Sequence, residues 1–81
     1  MKFIKKPLVI EAIQFDGKNT KKILKFTINA ELIEGILGIH IKSGLMQVKK
    51  GDWIINNHNG ISNESYVYDN ETFKKLYSKY N

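Results

Sequence analysis

VKKGDWIINNHNG, residues 48–60, decides how the rest of the chain is read. An apolar residue leads into a Lys49-Lys50-Gly51-Asp52 corner, Trp53-Ile54-Ile55 follows, and a run of Asn and His closes at Gly60. Glycine at such a corner supplies a backbone conformation closed to other residues, and aspartate accepts its neighbours' N–H groups. Asn59-Gly60 favours a turn with positive φ. The stretch reads as a short strand between two turns. Trp53 then buries a large ring behind the corner, provided its indole N–H finds a partner. Ligand contact by Trp53 is the alternative, although punctuation of this kind has a conformational cause first.

Upstream, GIHIKS (38–43) alternates, with Ile39 and Ile41 on one face and His40 and Lys42 on the other. Ser43-Gly44 is a two-residue hairpin signal, and LMQVKK (45–50) is the returning strand. AELIE (30–34) fits helix and strand equally. NTKKILKFT (19–27) predicts a short helix capped by Asn19 or Thr20, with Ile23, Leu24 and Phe26 as its apolar stripe. LVIEAIQF (8–15) predicts a strand partly covered on both faces, with Pro7 suited to its start and Asp16-Gly17 turning out of it.

Downstream, ESYVYD (64–69) alternates, with Tyr66 and Tyr68 opposed to Val67. DNETFKKLYSKYN (69–81) predicts a second helix capped by Asp69 or Asn70, with Phe73, Leu76, Tyr77 and Tyr80 as one stripe. An extended tail is the competing reading. The expectation is a single α+β domain over residues 1–81. It has about five short, mostly antiparallel strands forming a curled sheet or half-open barrel, with one or two short helices.

Eighty-one residues leave no room for a second core. The chain has no Cys, which excludes disulfides, thiolate metal sites and a Cys nucleophile. MKFIKKPLVIEAIQF superficially resembles a signal peptide, but Glu11 and Gln14 interrupt the apolar run and no small-residue cleavage site follows. The expectation is a cytoplasmic protein that neither is exported nor spans a membrane. The net charge of +5 invites a nucleic-acid reading, yet all thirteen basic residues are Lys. Arg is the residue suited to bidentate phosphate and guanine contacts. Ile, Lys and Asn are also the amino acids of A/T-rich codons, so the Lys excess reads first as a solvated surface.

With both ends read, KFIKKPLVIEAIQFDGKN and its following KKILKFT helix resemble the opening of a family of small, mostly uncharacterised phage and prophage proteins. These begin with a KKPxxIEAxQ strand, and GLMQVKKGDWIINNHNG resembles their central Gly-Asp-Trp-Ile-Ile block. Phe73 and Tyr77 match the family's C-terminal aromatic positions. Lys50 stands where the family has Pro, and SNESYVYDNE departs from its usual ending. The likeness is strongest over residues 2–27 and 48–60. It implies a virus-encoded accessory protein in the cytoplasm of a bacterial host, of a kind that often antagonises host defence, and it carries no catalytic residues.

His40 and His58 are the two histidines, and no spacing around them resembles a metal site. Glu11, inside an apolar strand, requires a partner if that strand is central, and a Lys of KFIKK is the expected one. A carboxylate of raised pKa acting as a general base is the functional alternative. No nucleophile or phosphate-cradling loop accompanies it, so no enzyme activity and no cofactor are expected. Tyr66, Tyr68, Tyr77 and Tyr80 with Lys74, Lys75 and Lys79 form an aromatic and basic set suited to a partner surface, or to phosphate plus base. The candidate binding residues are therefore Trp53, His58, Tyr66, Tyr68, Lys74, Lys75 and Tyr77. The expected partner is a host defence protein or a signalling nucleotide. Weak single-stranded nucleic-acid binding is the alternative, and a homodimer through an exposed strand edge is also expected.

Overall fold

Residues 10–57 and 63–77 are described in the structure, a computed structural model of the chain. They run β1 (Glu11–Gln14), α1 (Thr20–Phe26), β2 (Ala30–Ile33), β3 (Ile36–Ile41), β4 (Gly44–Gln47), β5 (Trp53–Asn56), β6 (Tyr66–Tyr68) and α2 (Asn70–Leu76). The strands form two antiparallel three-stranded sheets, ordered β1-β5-β6 and β2-β3-β4.

The α+β class is as expected, but among the described residues the strands number six and make two sheets that do not close into a barrel. The extra strand is β2, from the segment whose residue preferences fit helix and strand alike. Glu34 and Gly35 both take positive φ, 50° and 81°. That is the geometry of a two-residue turn whose twist matches a hairpin's strands. Ile33 then lies opposite Ile36, and Leu32 opposite Leu37. The β3–β4 hairpin turns on Lys42-Ser43, with Ile41 opposite Gly44, one residue earlier than the expected Ser43-Gly44 pair.

Both sheets contribute to one core. Leu37, Ile39, Val48, Ile54 and Val67 meet Ile23 of α1, all at most 5% exposed. α1 has seven residues, too few to be stable alone, so Ile23 and the half-buried Phe26 hold it against the sheets. Asn19 occupies the N-cap position but makes no side-chain cap. Its Oδ1 accepts the Asp16 N–H and its Nδ2 donates to the Gln14 carbonyl, so it ties the start of the helix to the end of β1. Glu11 is exposed on β1, an outer strand of its sheet among the described residues. Its carboxylate therefore meets water, and the buried charge feared for a central strand does not arise.

α2 is a helix, as the capping signals predict, and Asp69 accepts the Thr72 N–H at 2.7 Å. Phe73 and Tyr77 are half-buried, whereas Leu76 is 56% exposed and leaves the expected stripe. Tyr80 lies outside the described residues. The Thr72 backbone N–H, followed by the Thr72 side chain, holds the Asp69 carboxyl below its ordinary 3.8. A carboxyl lowered in the folded state adds stability above its unfolded pKa and loses it as pH falls through the folded one. Asp69→Asn keeps a capping side chain but removes the titration. Urea midpoints measured from pH 6 to pH 2 should therefore fall less steeply below about pH 4 in the variant. Parallel curves would show that this cap contributes nothing to the acid limb.

Candidate functional site

Antiparallel register sets Trp53 opposite Gln14 and Tyr68, and Ile55 opposite Ala12 and Tyr66. Because side chains alternate, these residues share the face of the β1-β5-β6 sheet that points away from Ile54 and Val67. α2 packs its aromatic residues there. Trp53 and Phe73 stack with ring centres 4.2 Å apart and planes within 7°. Phe73 meets Tyr77 at 5.3 Å, Tyr77 meets Tyr68 at 6.3 Å, and Tyr68 meets Tyr66 at 4.8 Å. The Trp53 indole N–H finds its partner in Asn70 Oδ1, at 3.0 Å. Gln14 Nε2 donates to the Gly51 carbonyl at 3.0 Å, fastening the corner beside the tryptophan. Gly51 has φ +96°, and Asp52 accepts the Lys49 N–H, so the corner is built as its residue types predict. Burial first, and then the neighbouring Tyr77 and Tyr66, pushes the Tyr68 hydroxyl above its ordinary 10.0.

Six of the seven residues expected at a binding surface, Trp53, Tyr66, Tyr68, Lys74, Lys75 and Tyr77, thus come from β5, β6, α2 and its C-cap. The four aromatic ones share one chain of ring contacts through Phe73. Lys74 and Lys75 are exposed in the last turn of the helix. His58 lies outside the described residues. Phe73 already covers a face of Trp53, so this ring serves first to dock α2.

Behind the opposite end of β5 runs a buried polar network. Ser65 Oγ donates to Asn56 Oδ1 at 2.9 Å and accepts from Asn29 Nδ2 at 3.0 Å. Its single proton being used, the 2.9 Å contact to Thr27 Oγ1 has threonine as donor. Thr27 in turn accepts the Asn29 N–H, and Asn56 Nδ2 donates to the Phe26 carbonyl. Glu11, Asn57 and Asn63 join Thr27 and Asn56 around a polar depression of about 130 Å³ above it. The Ser65 proton goes to an amide oxygen, which is no base, so the hydroxyl is not activated as a nucleophile. A second depression of about 250 Å³ is lined by Ile41, Lys42, Ser43, Glu64 and Tyr66. Among the described residues no three His, Asp or Glu side chains gather as metal ligands. None of their helices is long and apolar enough to cross a membrane.

A surface that the sequence did not single out lies on the β2-β3-β4 sheet. Ala30, Leu37, Ile39 and Met46 turn to the core side, so Glu31, Ile33, Ile36, His40 and Leu45 share the outer face. Ile33, Ile36 and Leu45 are 43%, 52% and 50% exposed. Leu45 folds over Gly38, where even a methyl group would come within 3.0 Å of its Cδ1. His40 Nε2 pairs with Glu31 Oε2 at 2.6 Å, in the open. The available signal was the pair of apolar residues on each side of Glu34-Gly35.

No protein-family model, no curated protein and no solved structure matches this chain. The chemistry of these surfaces therefore rests on the chain's own residues.

Proposed function

We propose that this chain is a non-enzymatic phage or prophage accessory protein of the bacterial cytoplasm, which inhibits a host defence component by occluding a protein surface. The viral setting rests on the KKPxxIEAxQ and Gly-Asp-Trp-Ile-Ile likeness. The mode of action rests on one observation, the half-exposed Ile33, Ile36 and Leu45 on a single sheet face. Gathered exposed apolar side chains mark interaction sites more often than isolated ones do. Sequestration of a nucleotide signal has less support, because the two depressions described among these residues, of about 250 and 130 Å³, fall below the roughly 300–1,000 Å³ of enclosing ligand sites.

A homodimer is better placed on this face than on the β4 edge. An antiparallel pairing centred on Leu45-Met46 would set Lys42 opposite Lys49 of the second copy, and like charges there repel. Single-stranded nucleic-acid binding is the second reading. It is favoured by the Tyr66–Tyr68 ring contact with Lys74 and Lys75 on the adjacent helix.

Expression of the protein in a bacterium carrying a defence system should restore phage plating. Ile36→Lys combined with Leu45→Lys, confirmed folded by circular dichroism, should abolish that restoration and release the host partner. Full restoration by the folded double variant would remove the apolar face from the mechanism. Absence of both protection and a co-purifying partner for the parent would remove the function.

A further inference from the structure

Among the described residues, positive charge gathers at one place. Lys21, Lys22 and Lys25 of α1 fall within about 100° of arc on the side opposite the buried Ile23, at roughly 100° per residue. Lys18 precedes them in the turn. The 49–52 corner is bonded to the same turn, since Gly51 N–H donates to the Phe15 carbonyl at 2.7 Å and Phe15 N–H to the Asp52 carbonyl at 2.8 Å. The Lys50 side chain lies over Gly17, where an added methyl would stand 3.6 Å from its Cδ. Six of the thirteen lysines and two of the eight carboxylates occupy residues 15–26 and 49–52. The local net charge is thus +4 of the chain's +5.

Both carboxylates serve the backbone. Asp16 Oδ1 accepts the Lys18 and Asn19 N–H groups, and Asp52 Oδ2 accepts that of Lys49. The ion pair found among the described residues is His40–Glu31, on the β2-β3-β4 sheet, so these six lysines have no described carboxylate within bridging distance.

We propose that this lysine face binds the phosphate backbone of duplex nucleic acid without reading its sequence. Duplex DNA presents about one negative charge per 1.7 Å of its axis, a dense complement to such a face. Lysine contacts phosphate as a point charge, and the chain has no Arg for bidentate contact with guanine. Phe15 and Phe26, the aromatic residues of the segment, pack against the core, so the segment itself offers no free ring for an unpaired base. Phosphate contact without base contact positions a protein but carries no sequence information. This surface is distinct from the apolar face and from the tyrosines, so its failure would leave both of those readings standing.

The test is fluorescence anisotropy with a labelled duplex of about 20 base pairs, between 50 and 200 mM NaCl. The logarithm of the binding constant should fall against that of salt with a slope of about −3 to −5, near −0.9 per phosphate neutralised. Two duplexes of scrambled sequence should bind equally. Lys22→Gln, Lys25→Gln and Lys50→Gln together should flatten the slope by about 2 or more, from that same value per contact. Lys42→Gln, Ser43→Glu and Gln47→Glu, at exposed positions on the other sheet and with the same net charge, should leave it near the parent value. No binding at 50 mM salt, or equal losses in the two triple variants, would overturn the proposal. So would tighter binding to a single strand of the same length. Polyglutamate that displaces the duplex at equal charge would assign the face to an acidic protein and overturn the phosphate reading.

Discussion

Ile54→Ala should destabilise the protein by about 2–5 kcal/mol, seen as a lower urea midpoint at unchanged slope. Ile54 is fully buried in the central strand of its sheet, opposite Ile13 and Val67, and packs with the side chains that both sheets share. Truncation removes three carbons from a place where neighbours on every side are fixed by the ladders. A chain of this size buries roughly 60% of its unfolded surface and holds little stability in reserve. At about 4–8 °C per kcal/mol, the melting temperature should fall by ~10 °C or more. Ile36→Ala removes the same atoms from a side chain that is 52% exposed and should stay within about 0.5 kcal/mol of the parent. Equal losses at the two positions would contradict the placement of the core.

Ser65→Ala should cost about 1–3 kcal/mol, from buried groups left without partners. The change strands the Thr27 hydroxyl proton, an Asn29 amide proton and Asn56 Oδ1, which Ser65 now serves together. Thr27→Val, nearly the same shape, interrupts the same chain one step earlier. Denaturation of both single variants and the double should show non-additivity of about 0.5–3 kcal/mol, since each loss already spoils the other's contact. Strict additivity would mean that the two hydroxyls act separately.

Local signals were legible wherever a residue's chemistry acts on its own neighbourhood. WIIN is β5, the Lys49–Asp52 corner precedes it, and Asp69 caps α2. The pairing of strands was not legible. β1 joins β5 across some forty residues, and alternation shows which side chains share a face without naming the partner strand. The same gap turned two sheets into one expected curled sheet or half-open barrel. Residues 30–33 became readable only through Glu34-Gly35, where a non-glycine residue accepts positive φ. Asn19 carried a genuine capping signal, but the end of β1 offered its amide two partners at once.

The tyrosines and Trp53 were found from residue type, and register explains why they meet. Phe73 went unsuspected as the ring between them because its spacing also fits a plain amphipathic helix. Ile33, Ile36 and Leu45 escaped notice because an exposed isoleucine looks like a core one until the fold is known. The lysines were counted over the whole chain, and only the bonds between the Phe15 turn and the Gly51 corner gather them.

The single tryptophan lies in the contact that attaches α2, stacked on Phe73 and hydrogen-bonded to Asn70. α2 has no fully buried residue, so its attachment is among the weaker ones in the fold. The protein thereby contains its own optical gauge. Indole emission reports whether α2 is seated, while far-ultraviolet dichroism follows the backbone as a whole, and one heating experiment can watch the two separate.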